Sequence, residues 1–110
     1  MSEPELGQLV AQAREMQTRL AELQRDLARR RVEGTSGGGM VTAVATGELR
    51  ILEIRIEPSL LEGGDRSMIQ DLTAAAVNVA LTNAQRMIQE ELQQASGGLA
   101  TTLPFGSGST

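Results

Sequence analysis

The sequence contains no cysteine, no histidine and no lysine, and its single aromatic residue is Phe105. The lack of cysteine excludes disulfides, thiolate metal ligands and thiol nucleophiles. The lack of histidine removes the commonest general base and metal ligand of proteins. Serine and threonine are present, but neither histidine nor lysine is available to activate one of their hydroxyl groups. We therefore expect a protein that is not an enzyme and that carries no metal ion or cofactor.

A chain of 110 residues suffices for one domain, and the apolar fraction of 40% predicts a thin core. A thin aliphatic core in a short chain is often completed by association with another chain. Residues 1–5 are acidic and polar, unlike a signal peptide, and no apolar run approaches the length of a membrane span. We expect a cytoplasmic protein that does not enter a membrane.

Positive charge is concentrated in one part of the chain, although the formal net charge is −4. All ten basic residues are arginines, and six of them lie between residues 5 and 31, where only four acids occur. The rest of the chain carries four arginines and ten acids. This asymmetry predicts a basic first segment on an otherwise acidic protein.

A regular spacing of apolar residues predicts one long helix over residues 5–31. The segment has no proline, and its apolar residues recur at steps of three and four, at Leu6, Leu9, Ala13, Met16, Leu20, Leu23 and Leu27. This heptad pattern is typical of helices that pair with other helices. We predict a packing seam made of Leu9, Met16, Leu20, Leu23 and Leu27. Two partners fit it: a helix of a second chain, or the last helix of the same chain in a monomeric hairpin.

The middle of the chain predicts a three-stranded antiparallel meander over residues 32–36, 40–46 and 49–57. Glycines at 37–39 and the pair Gly47-Glu48 mark the two turns. Apolar and charged residues alternate in the third strand, which predicts that Leu52, Ile54 and Ile56 share the buried face. Ile51 is then expected on the opposite face.

A short helical turn and a second long helix are predicted after the strands. Pro58 stands where a helix favours proline, at its first position. The second helix is capped either by Asp65 or by Ser67, which forms a capping box with Gln70. Its apolar stripe predicts one buried face, made of Ile69, Leu72, Ala76, Val79 or Ala80, Asn83 or Ala84, Met87 or Ile88, and Leu92.

Small polar residues mark the predicted end of the folded part. Ser96-Gly97-Gly98 predicts that the second helix ends near Ala95. Residues 96–110 are rich in glycine, serine and threonine and are expected to form a flexible tail. The predicted fold is α+β, with one domain over residues 1–95: a long helix, a three-stranded antiparallel meander, a short turn helix and a long helix.

The arginines of the first helix admit two interpretations. At about 100° per residue, Arg14, Arg25 and Arg29 fall within roughly 60° of one another and nearly opposite the seam. One interpretation is a solvated outer face of a coiled coil, with ordinary surface ion pairs. The other is a surface that contacts phosphate, because the planar guanidinium donates two parallel hydrogen bonds. With no aromatic side chains to stack on bases, duplex DNA fits that surface better than a single strand.

The opening helix is rich in glutamine and methionine, the first hairpin is rich in glycine, and the third strand ends in Pro-Ser-Leu-Leu. Together with the order of the elements, these motifs resemble the YbaB/EbfC family of bacterial nucleoid-associated proteins, and the similarity covers nearly the whole chain. The final Leu-Pro-Phe resembles the tail of actinobacterial members. The segments that carry the resemblance are 11–17, 32–41, 54–61, 71–78 and 103–105.

The resemblance implies a homodimer with protruding helices that binds duplex DNA in the nucleoid, mainly through the DNA backbone and with little sequence preference. It implies that six arginines contact DNA: Arg14, Arg25, Arg29, Arg30, Arg31 and Arg86. The acidic net charge and the absence of lysine keep a second hypothesis open. In that hypothesis the same fold serves as a protein-interaction module that has lost DNA binding.

Overall fold

A computed structural model describes residues 3–102 of the chain, with side chains described as far as residue 95. Its elements confirm the predicted α+β fold and its order. They are α1 (Glu3–Arg29), β1 (Arg31–Ser36), β2 (Val41–Thr46), β3 (Ile51–Ile56), α2 (Pro58–Glu62) and α3 (Arg66–Thr102). A short 3-10 turn, Gly37–Gly39, joins β1 to β2.

Helix α1 has 27 residues and is about 40 Å long. It ends at Arg29, two residues earlier than predicted, so Arg31 does not lie on its last turn. Val32 and Gly34 are poor helix formers. Arg31 instead opens β1, where it pairs with Thr46 of β2. The side chain of Arg31 therefore projects from the sheet and not from the helix.

The three strands form an antiparallel sheet in the order β1-β2-β3, as predicted. Residues that face each other in an antiparallel pair share a face of the sheet. Val41 and Ala43 of β2, both fully buried, therefore share their face with their partners Ile56 and Ile54. This face carries the core.

A β-bulge in the β2–β3 pair corrects the predicted alternation of the third strand. The register shifts between Val44 and Ala45, so that Ala45 pairs with Ile51 and Leu52 is left out of the ladder. An extra residue in one strand moves the side chains beyond it to the other face. The assignment of Ile51 to the outer face is wrong, since it packs against the core. Leu52, predicted buried, is 51% exposed.

Helix α3 covers the core face of the sheet with small residues. Ala76, Ala80 and Ala84 are fully buried at intervals of four along the helix. The close approach requires Gly34 in β1, because a Cβ built there would lie 2.1 Å from the backbone nitrogen of Ala80. The predicted stripe is confirmed, except that two of its residues are exposed, Val79 and Leu92.

Both ends of α3 differ in part from expectation. Asp65 is the cap, since the Met68 N–H donates to its Oδ1 at 3.0 Å, and the alternative capping box of Ser67 with Gln70 is wrong. The helix continues through Gly97-Gly98 to Thr102, so the predicted end near Ala95 is also wrong. Glycine costs a helix only about 1 kcal/mol relative to alanine, so two glycines between helix formers weaken a helix without stopping it. Residues 103–110, which include Leu103–Phe105, lie outside the described residues, and a flexible tail stays a prediction.

Within the described residues, helix α1 meets the rest of the chain only near its C-terminal end. Leu27 of the seam is buried, and Leu23 is half-buried. Leu9, Met16 and Leu20 are 47%, 57% and 48% exposed. The structure therefore does not form the monomeric hairpin that would have buried the seam against α3. Most of the seam is an apolar surface that the other described elements leave exposed.

Candidate nucleic-acid interface

Three of the predicted arginines lie on the exposed face of α1, opposite the seam. Arg14, Arg25 and Arg29 are all exposed, and we call them the arginine stripe. In the described part of the chain, none of the three forms an ion pair. By contrast, Arg19 on the side of the helix binds Glu15 at 3.1 Å. The stripe therefore offers guanidinium groups that are free to donate hydrogen bonds to an anion.

Charge is distributed unevenly along this helix. Residues 3–24 contain two arginines and four acids, whereas residues 25–31 contain four arginines and one acid. The positive end of the segment is thus the base, where α1 joins the sheet. Positive charge is therefore not spread along the whole predicted helix, because the surplus of arginines over acids in residues 5–31 comes from residues 25–31.

Arg30 is already engaged within the chain. Its Nη1 donates to the Oε1 of Glu91 on α3, and the two side chains are 49% and 29% exposed. The pair links the base of α1 to α3, although partly exposed ion pairs contribute little to stability. Among the ion pairs of the described residues, Arg30 is therefore the one predicted DNA contact whose charge is offset by a carboxylate.

The structure brings together three arginines that come from different elements. A cleft of about 450 Å³ opens between the base of α1 and the β2–β3 turn. Arg29 ends α1, Arg31 begins β1, and Arg50 immediately precedes β3. The lining of this cleft, which we call the basal cleft, is Ala28, Arg29, Arg31, Thr46, Glu48, Arg50, Ile51 and Leu52.

Arg50 was not among the predicted site residues. In the sequence it stands alone after a turn, 19 residues beyond Arg31, and nothing in that spacing predicts that the two converge. The residue that brings Arg50 towards α1 is Gly47, whose N–H donates to the Leu27 carbonyl oxygen at 2.9 Å. A Cβ on Gly47 would lie 2.2 Å from that oxygen. The glycine therefore permits the turn to dock against the end of α1, which places Arg50 beside Arg29.

Backbone hydrogen bonds fix the β2–β3 turn. The Thr46 N–H donates to the Arg50 carbonyl at 2.9 Å, and the Leu49 N–H donates to the Thr46 carbonyl at 2.9 Å. The Thr46 hydroxyl oxygen, in a buried side chain, accepts the Glu48 N–H at 3.2 Å. Leu49 has a φ of 62°, the left-handed region that side chains other than glycine or asparagine rarely adopt. The turn thus holds Glu48 and Arg50 in one defined arrangement.

The last predicted contact, Arg86, lies on α3 outside the basal cleft. It lies three residues after Asn83, whose side-chain amide donates to the Glu33 carbonyl of β1 at 2.9 Å. Arg86 is exposed. In the described part of the chain it forms no ion pair. It therefore adds a separate positive charge on the second helix.

The arginine on the outer face of the sheet is paired with carboxylates of the same face. Arg55 of β3 donates to Glu33 of β1 at 2.7 Å, across the intervening strand, and lies 3.4 Å from Glu53. The hydrogen bond that Arg55 donates to Glu33, together with the negative charges of Glu33 and Glu53, raises the pKa of Arg55 above its usual value. Arg55 is therefore charged but compensated, unlike the stripe and the cleft.

Apolar side chains are exposed beyond the seam. Leu49 and Leu52 flank Arg50 and are 43% and 51% exposed, and Ile54 on the edge strand β3 is 37% exposed. Edge strands with exposed apolar residues pair readily with other chains. None of the helices in the described residues is both long enough and apolar enough to cross a membrane. The same residues contain no cluster of acidic side chains that would hold a metal ion.

Comparisons with known proteins agree with this architecture. A model of the YbaB/EbfC DNA-binding family matches residues 2–99. A nucleoid-associated protein of Caldanaerobacter subterraneus subsp. tengcongensis is 42% identical over 93 residues, covering 84% of this chain and 84% of that protein. A nucleoid-associated protein of Acetivibrio thermocellus is 44% identical over 94 residues, covering 86% of this chain and 83% of that protein.

A solved structure shares the fold. The crystal structure of an uncharacterized protein from Helicobacter pylori superposes with a TM-score of 0.59 at 23% identity, covering 90% of this chain and 97% of that one. At that identity the likeness concerns the fold alone. The family match extends over most of the chain, and both relatives align over more than four fifths of it. The chain therefore belongs to the YbaB/EbfC DNA-binding family.

Proposed function

We propose that this protein binds duplex DNA in the nucleoid as a homodimer, mainly through the DNA backbone and with little sequence specificity. The observation that carries the proposal is the arginine stripe of α1, exposed and without ion pairs in the described residues. Family membership and the names of the nucleoid-associated relatives support DNA as the partner.

The chemistry of the stripe favours phosphate over bases. Guanidinium groups donate paired hydrogen bonds to phosphate oxygens and release counterions from the duplex when they bind. The described residues include no aromatic side chain that could stack on a base, because the only aromatic residue is Phe105. Phosphate contacts position a protein on DNA without reading its sequence. Low sequence specificity follows from this set of side chains.

The homodimer is supported by the apolar surface that a single chain leaves open. Leu9, Met16 and Leu20 form most of the seam and are all about half exposed. A heptad seam buries its side chains only against another helix, and α3 of the same chain does not cover these residues. A second copy supplies an identical seam, and most soluble homo-oligomers are symmetric dimers.

Fluorescence anisotropy with a labelled duplex of arbitrary sequence tests DNA binding. The dissociation constant is measured in 50 mM and 200 mM salt, where counterion release predicts a steep loss of affinity. We expect the double variant Arg14→Glu/Arg25→Glu to weaken binding about tenfold or more. The matched control is Arg19→Glu/Arg66→Glu, which changes the net charge equally at exposed positions outside the stripe.

Equal affinities of the two double variants would contradict the assignment of the stripe, provided that circular dichroism shows both to be folded. A parent protein that binds no duplex in 50 mM salt would contradict DNA binding itself. That result would favour the second candidate, a protein-interaction module, which the net charge of −4 and the absence of lysine suggest. Sedimentation equilibrium of the parent protein tests the homodimer separately, and a monomer at micromolar concentration would contradict it.

A further inference from the structure

We propose that the basal cleft is a phosphate-binding site, in which Arg29, Arg31 and Arg50 hold a phosphodiester group of duplex DNA that lies along the arginine stripe. This inference rests on the proposed DNA binding and adds a site at the base of α1, where the helix meets the sheet. It assigns a role to Arg50, which neither the heptad helix nor the family resemblance indicates.

The charge of the cleft selects an anion. Its lining contains three arginines and one carboxylate, Glu48, in a chain whose net charge is −4. None of the three arginines forms an ion pair within the described residues. Like charges brought together repel one another, and that repulsion is relieved when an anion binds between them. A phosphate group accepts hydrogen bonds from several guanidinium groups at once.

The cleft is preorganised by the backbone. Arg31 pairs with Thr46 across β1 and β2, and the Thr46 N–H holds the Arg50 carbonyl at 2.9 Å. The hydrogen bond from Gly47 to Leu27 fixes this turn to the base of α1. The three arginines thus start from fixed backbone positions, which reduces the entropy lost when their side chains close on a ligand.

Backbone strain occurs in the same turn. Leu49, which directly precedes Arg50, is the only residue other than glycine with a positive φ in the described part of the chain. Such a conformation is strained for a side chain other than glycine and is concentrated at functional sites, where it aims neighbouring side chains. Here the neighbours are Glu48 and Arg50, both in the lining of the cleft.

The position of the cleft links it to the stripe. Arg29 belongs to both, because it ends the stripe and lines the cleft. Arg25 lies one helical turn before it, about 6 Å along the axis. A DNA duplex that contacts Arg25 and Arg29 therefore reaches the opening of the basal cleft while it still lies against α1. The volume of about 450 Å³ falls in the range of small-molecule sites and accommodates a phosphate with its sugar.

The test compares Arg50→Gln with Arg66→Gln by anisotropy over a range of salt concentrations. Both variants remove one exposed positive charge, but Arg66 begins α3 and is absent from the lining of the cleft. We expect Arg50→Gln to weaken duplex binding about three- to tenfold and to reduce the slope of log K against log salt by about 1 per chain. We expect Arg66→Gln to change neither quantity measurably.

A second measurement separates the two sources of phosphate. The thermal midpoint of the parent protein and of Arg50→Gln is followed with inorganic pyrophosphate at constant ionic strength. A rise in the parent that Arg50→Gln abolishes supports a phosphate site, and the anisotropy result decides whether DNA supplies the phosphate. If the parent binds DNA and the two glutamine variants bind equally well, the cleft assignment is overturned while DNA binding stands. If the parent binds no DNA and pyrophosphate gives no shift that depends on Arg50, both proposals are overturned.

Discussion

Replacement of Gly47 by alanine tests how α1 is attached to the rest of the protein. The new Cβ would lie 2.2 Å from the Leu27 oxygen, 2.7 Å from the Leu27 carbonyl carbon and 2.9 Å from the Leu27 Cβ. Two of these atoms are backbone, so a change of rotamer does not relieve the clash. The φ of Gly47 is not in the left-handed region, so alanine is disfavoured by the clash alone and not by its backbone conformation.

The expected loss has two parts. Overpacking costs about 1–3 kcal/mol. The hydrogen bond from the Gly47 N–H to the Leu27 oxygen, 2.9 Å long, is lost or lengthened, at about 1–2 kcal/mol for a partly buried group. We therefore expect Gly47→Ala to lower the free energy of unfolding by about 2–5 kcal/mol. Urea denaturation followed by circular dichroism measures it, at one fixed chain concentration because association contributes to stability.

Gly7→Ala is the matched control for this prediction. Gly7 lies in α1, and a Cβ there meets no atom within 4 Å. Alanine at an exposed helical position raises stability by up to about 1 kcal/mol. Both variants replace glycine by alanine, and their expected effects on the free energy of unfolding have opposite signs. A loss of less than 1 kcal/mol for Gly47→Ala would refute the docking of the turn against the end of α1.

Two further predictions concern α3. Asp65→Ala removes the oxygen that accepts the Met68 N–H and should lower the free energy of unfolding by about 1 kcal/mol. Ser67→Ala should change the free energy of unfolding by less than about 0.3 kcal/mol. Equal losses for the two variants in urea denaturation would contradict the assignment of the cap. Glu91→Gln removes the partner of Arg30 and should lower stability by no more than about 1 kcal/mol while increasing duplex affinity, because an unpaired guanidinium faces solvent at the base of α1. An unchanged or weaker affinity by anisotropy would show that the freed arginine does not contact DNA.

Much of the fold is predictable because its signals are local and periodic. The heptad spacing of Leu9, Met16 and Leu20 predicts a helix independently of tertiary contacts, and the glycines at 37–39 predict a turn. The bulge at Val44 and Ala45 leaves no such signal. A run of alternating residues looks the same whether or not the register shifts, so the alternation predicts the wrong face for Ile51.

The candidate site is less predictable than the fold, for a related reason. The arginine stripe follows from helical geometry alone, since Arg14, Arg25 and Arg29 belong to one helix. The basal cleft depends on a contact between Gly47 and Leu27, 20 residues apart in sequence. Local periodicity carries no information about such a contact. The ion pair between Arg30 and Glu91 is unpredictable from the sequence for the same reason.

The distribution of charge, more than the net value of −4, determines where this protein can hold DNA. Two carboxylates of the sheet, Glu33 and Glu53, share one positive charge, that of Arg55, and Glu91 is paired with Arg30. The four acids between residues 3 and 24 outnumber the two arginines there, so Arg14 lies in a part of α1 where negative charge is in excess.

The base of α1 has the opposite balance, with four arginines and one acid over residues 25–31 and Arg50 close by. Glu5 lies about 30 Å from Arg25 along the helix, roughly three times the Debye length in 0.1 M salt. Of the four acids between residues 3 and 24, only Glu22 lies within one Debye length of Arg25 along the axis. A duplex near the base therefore experiences mainly the arginines that surround it. Positive charge gathered at the junction of helix and sheet allows an acidic chain to bind a polyanion, and it makes Arg25, Arg29, Arg31 and Arg50 the centre of the proposed contact, with Arg14 at its margin.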